Sequence, residues 1–119
     1  MGSELIDTLK GEGTGPIIGR ELEDLDITLL AWNEGHRVET HRNDEIDVVT
    51  VVISGKGTAI VDGVEHLLAV GSLLLIPKGT ERSIESRSPD FRYLNIHKRR
   101  RKLMPTLLPP RSTAKVVEE

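Results

Sequence analysis

Residues 48–77 read VVTVVISGKGTAIVDGVEHLLAVGSLLLIP, and their punctuation decides the architecture. Val48–Ser54 is rich in β-branched residues, which suit a pleated, half-buried surface, and it stops at Gly55-Lys56-Gly57. Thr58–Val61 then resumes the pattern, so the two runs read as a hairpin. Asp62-Gly63 is a strong two-residue turn signal leading into Val64–Leu68. Ala69-Val70-Gly71 turns the chain again, Leu73–Ile76 is a wholly apolar strand, and Pro77 followed by Gly79 marks the next turn.

The same rhythm extends in both directions. Upstream, Ile17–Glu21 and Ile27–Trp32 read as strands separated by the acidic turn Glu23-Asp24, and Asn33-Glu34-Gly35 opens a loop. Downstream, Arg82, Ile84 and Ser86 alternate with Glu81, Ser83 and Glu85, which puts Arg82 on the inward face beside Ile84. A last strand, Phe91–His97, follows the Ser88-Pro89-Asp90 turn. At least seven short strands without a long helix predict an all-β sandwich or barrel, because only such a closure buries both inner faces. Residues 1–15 read as a flexible leader with at most one helical turn at Glu4–Lys10, residues 16–102 as one β domain, and residues 103–119 as an irregular Pro-containing tail. Leu103, Met104, Leu107 and Leu108 of that tail offer apolar surface to the barrel or to a second chain.

Composition narrows the function classes. A chain of 119 residues sits near the common size of one domain and buries roughly two thirds of its unfolded surface. Without cysteine it has no disulfide, thiolate nucleophile, iron–sulfur cluster or Cys-type zinc site. A net charge of −3 and only three aromatic residues, Trp32, Phe91 and Tyr93, argue against a nucleic-acid binder. No run approaches the ~18 apolar residues of a membrane span, and no signal peptide is evident, so a soluble cytoplasmic protein is expected. The cations Lys98 to Lys102 read as a charged exit from the barrel that pairs with the acid-rich first third of the chain, within one molecule or across a dimer.

The chemistry concentrates between Gly35 and Asp47. If this segment is extended, His41, Asn43, Glu45 and Asp47 project to one side. The continuation of that face as Val49, Val51 and Ile53 predicts that it looks into the barrel. Buried polar groups there demand partners, and Arg82 can bridge a carboxylate with two parallel hydrogen bonds. An imidazole with carboxylates at this spacing suits Mn²⁺, Fe²⁺ or Zn²⁺, which gives His41, Glu45 and Asp47 as candidate metal ligands. His97 shares a strand face with Phe91, Tyr93 and Asn95, directed either toward His41 and Arg82 or outward beneath the tail. Trp32 stands at the pocket edge or in the core, and His66 is simplest as an exposed strand residue.

At these residues the sequence resembles the cupin superfamily, small jelly-roll barrels whose pocket usually holds a metal. The first cupin pattern runs Gly, five residues, His-x-His, three or four residues, Glu, six residues, Gly. Here Gly35 and His41 fit, Asn43 stands at the second His, Asp47 stands near the Glu, and Gly55 closes the frame one residue late. The second pattern runs Gly, five residues, Pro-x-Gly, two residues, His, three residues, Asn; Gly71, Pro77 and Gly79 fit in register, with Arg82 at the His position and Ser86 at the Asn. The resemblance spans about residues 26–97 and implies a cupin-type jelly-roll β-barrel. Among the usual ligand positions only His41 keeps an imidazole, and a guanidinium repels a metal at short range. His36 or His97 would have to substitute.

Three functions follow as expectations. The first is a small-molecule-binding domain whose pocket takes a polar or anionic metabolite, with Arg82 gripping its anionic end and Asn43, Asp47, His97 and Trp32 completing the wall. The second is a metal-dependent enzyme such as an isomerase or dioxygenase, or a metal-free variant in which His41 shuttles a proton. The third is a dimerisation or scaffold module, and a homodimer is the expected assembly in any case.

Overall fold

The computed structural model describes residues 2–99, all strand and connecting loop. Nine strands follow in order: β1 (Gly15–Glu21), β2 (Leu25–Trp32), β3 (Arg37–Arg42), β4 (Val48–Ser54), β5 (Gly57–Val61), β6 (Val64–Leu68), β7 (Leu73–Ile76), β8 (Glu81–Ser86) and β9 (Phe91–Lys98). They form two antiparallel sheets, β1-β2-β9-β4-β7 and β3-β8-β5-β6. The chain crosses repeatedly from one sheet to the other, which is a jelly-roll sandwich, and among the described residues no hydrogen-bonded seam closes it into one continuous ring. Among the described residues, no helix is long and apolar enough to cross a membrane.

Local chemistry explains most of these boundaries. Asp62 and Gly63 adopt φ of 48° and 82°, the paired left-handed geometry that two-residue hairpins require. At Gly57 the demand is space: an added Cβ would lie 2.4 Å from the Phe91 ring and 2.9 Å from the Glu85 carbonyl oxygen. Between the sheets lies one apolar cluster that includes Leu30, Val48, Val52, Ala59, Ile84, Phe91 and Tyr93, with Trp32 packed at its margin.

Two sequence expectations are corrected. The run 35–47 is not one extended face, because β3 ends at Arg42 and the chain turns. The Asn43 side-chain oxygen accepts from the backbone N–H groups of Glu45 (2.9 Å) and Ile46 (3.3 Å), an Asx turn that competes successfully with continued extension. The phase of β4 is also inverted: Val48, Thr50 and Val52 are buried, whereas Val49, Val51 and Ile53 take the less buried outer face. Leu73 and Leu75 likewise point outward from β7, each more than 60% exposed, while Leu74 and Ile76 are buried, the two faces of a strand with period-two alternation.

The segment before β1 is fastened to the outer face of the larger sheet. The buried Arg92 guanidinium donates to the carbonyls of Thr8 (3.0 Å), Lys10 (2.9 Å) and Gly11 (2.9 Å), and its Nε donates to Asp90 (3.0 Å). Ala31, directly opposite Arg92, and Leu29 on the same face are both buried. At the other end Arg99 pairs with Glu21 at 3.2 Å and donates to the Leu22 carbonyl. The apolar tail residues Leu103, Met104, Leu107 and Leu108, and the cations beyond Arg99, lie outside the described residues.

Candidate functional site

A cavity of about 270 Å³ opens between the inner faces of the two sheets. The larger sheet contributes Leu30 and Trp32 from β2, Thr50 from β4, and Tyr93 and Asn95 from β9. The smaller sheet contributes Val38 and His41 from β3, with Arg82 and Ile84 from β8. Period-two alternation explains why Arg82 and Ile84 arrive together.

Two hydrogen bonds order the wall of the larger sheet. The Thr50 hydroxyl donates to the Asn95 side-chain oxygen at 2.6 Å, both residues being buried, and the Trp32 indole N–H donates to the Tyr93 hydroxyl at 3.0 Å. The indole also stacks on the His36 imidazole, with centroids 3.9 Å apart and planes inclined by 6°.

On the facing wall, His41 and Arg82 are direct cross-strand partners, and Arg82 is only 3% exposed. His41 Nδ1 lies 3.1 Å from the Glu39 carbonyl oxygen, while its Nε2 is buried without a hydrogen-bond partner among the described residues. Burial holds the His41 pKa below the ordinary imidazole value; the Glu39 carbonyl opposes the shift and the nearby Arg82 charge adds to it.

His41, Arg82, Trp32 and His36 therefore share the cavity with Tyr93 and Asn95, whereas Asn43, Glu45, Asp47 and His97 do not line it. Asn43 closes its Asx turn and accepts the Gly79 N–H on its carbonyl at 2.7 Å. The Asp47 carboxylate accepts the Lys78 N–H at 2.8 Å. Both thus tie the 43–47 turn to the Pro77–Gly79 turn. Glu45 is exposed on that turn. His97 sits opposite Asp26 with its Nδ1 donating to the Lys98 carbonyl at 2.9 Å. Thr50 was the missed wall residue, with the lone hydroxyl inside VVTVV as the available signal, while Tyr93 and Asn95 take the inward of the two orientations open to their strand face.

The proposed metal set of His41, Glu45 and Asp47 is consequently not assembled. Among the described residues no three His, Asp or Glu side chains converge as a metal would need. The wall instead offers His41 a guanidinium as neighbour, which has no lone pair to give and carries a repelling charge. The residues present do not fit a resident divalent metal.

Known structures of the same shape give the fold its context. KdgF from a Halomonas species superposes with a TM-score of 0.65 at 19% identity, covering 75% of this chain and 80% of that one. A cupin-2 domain containing protein from Shewanella frigidimarina gives 0.64 at 21% identity, covering 77% and 87%. The conserved SPY1581 protein of Streptococcus pyogenes gives 0.66 at 17%, covering 86% and 92%. No curated protein gives a significant sequence match. The Cupin domain family model matches residues 28–97, more than half of the chain and both walls of the cavity, and the chain belongs to the cupin family.

Proposed function

We propose that this cupin domain binds a small polar or anionic metabolite between its sheets, with Arg82 holding the anionic end. The observation that carries this reading is a guanidinium 3% exposed at the cavity wall. Among the lining residues Arg37 and Arg82 outnumber the one acidic side chain, Glu39, which is exposed, so the charged groups of the wall favour an anionic guest. At an effective dielectric constant near 20, opposite charges about 4 Å apart attract by roughly 4 kcal/mol, ample to orient a ligand. The cavity lies just below the ~300–1,000 Å³ of sites for drug-sized molecules, which favours a compact metabolite.

Calorimetric titration with small carboxylates and phosphates tests the reading. Arg82→Gln is expected to weaken the best-bound anion at least tenfold, on the order of 1.4 kcal/mol, with Arg82→Lys intermediate because it keeps charge but loses the fork. Equal affinity of the native and Arg82→Gln proteins for every anion would discard the proposal.

A further inference from the structure

The facing pair on β3 and β8 asks for more than an anion. The Glu39 carbonyl oxygen 3.1 Å from His41 Nδ1 can only accept, so the proton of the neutral ring resides on Nδ1 and Nε2 carries a bare lone pair. That lone pair is buried and has no hydrogen-bond partner among the described residues, on a side chain that lines the cavity. Directly across the ladder stands Arg82, a group with five N–H donors and no acceptor. Side chains opposite one another in an antiparallel pair have Cβ atoms about 4.5–5.5 Å apart, so a donor-seeking nitrogen and a cationic guanidinium present themselves side by side.

We propose that the pocket selects a 2-hydroxycarboxylate, whose carboxylate lies on Arg82 while its neighbouring hydroxyl donates to His41 Nε2. This rests on the anion-binding reading and sharpens it to one class of ligand. The competing classes fail on chemistry. A 2-oxo acid places a second acceptor against the lone pair. A 2-amino acid places an ammonium group beside the guanidinium, where like charges repel. The unsubstituted acid offers Nε2 no donor, and a site built to bond a hydroxyl discriminates against ligands lacking it.

The test titrates the full chain by calorimetry with matched acids: lactate, propionate, pyruvate and alanine, and malate against succinate. At least a tenfold preference for the hydroxy acid of a set is expected, collapsing to near parity in His41→Leu and recovering in His41→Gln, whose side-chain oxygen can accept. Nitrogen-15 NMR of the native imidazoles provides the second readout: lactate should shift His41 Nε2 toward the hydrogen-bonded position and propionate should not. Equal binding of hydroxy and unsubstituted acids, or an Nε2 resonance indifferent to lactate, overturns the hydroxy-acid assignment and leaves Arg82 as an anion site. If no acid of any kind binds, this inference and the anion-binding reading fall together.

Discussion

His41 shows how one residue couples stability to pH. Its pKa is lowered in the folded chain by burial, with the Arg82 charge adding to the effect, so the unfolded chain takes up a proton at higher pH than the native one does. The neutral ring's contribution is complete above the ordinary imidazole value near 6.5. It is lost as pH falls through that value toward the lower folded pKa, because stability declines wherever the unfolded state binds more protons. An NMR titration is expected to place the His41 midpoint below 6.5, and chemical denaturation to show the fold weakening from pH 7 to pH 5 by more in the native chain than in His41→Gln. At this scale the sequence was readable where a residue's neighbours were local. Arg82 and Ile84 declared their shared face by simple alternation, and His41 stood at a family position. Asn43 and Asp47 were misjudged because their partners, the N–H groups of Glu45, Ile46 and Lys78, are specified by a turn, and residue type alone does not distinguish a ligand from a turn-former.

Among the elements, strand existence was written in the turns. Asp62-Gly63, Gly71 and the Pro77–Gly79 frame fixed the limits of β5 to β8 closely. Strand phase was harder to read. β4 carries apolar residues on both faces because it sits between β9 and β7 inside the larger sheet, so period two gives no contrast and the buried Thr50 was concealed. Nor did any local signal announce that Arg92 would reach back across more than eighty positions to the carbonyls of Thr8, Lys10 and Gly11. That clasp ties the segment before β1 to the larger sheet. Charge-assisted bonds contribute roughly 1.5–3 kcal/mol each, and carbonyls released to water recover hydration, so Arg92→Leu should cost on the order of 2–3 kcal/mol in total. Amide exchange and limited proteolysis are expected to show residues 2–14 opening first in this variant while β4 and β9 keep their protection.

For the whole molecule, the fold was legible because nine short strands and one apolar cluster admit few closures, whereas the occupant of the interior is set by a handful of side chains. The outer surface has its own asymmetry. Leu73 and Leu75 are 62% and 63% exposed on β7, the strand at the border of the larger sheet, and exposed apolar side chains on an edge strand offer a site for association. Pairing of two chains through this border remains a proposal. Sedimentation is expected to show a dimer that the double substitution Leu73→Glu/Leu75→Glu separates; a native monomer at every concentration would dismiss it. Inside, the chain's sole tryptophan is one wall of the cavity, bonded to Tyr93 and stacked on His36. Any guest that enters must rearrange the surroundings of that one fluorophore, so the protein carries its own optical gauge of occupancy and unlabelled candidates can be screened by emission alone.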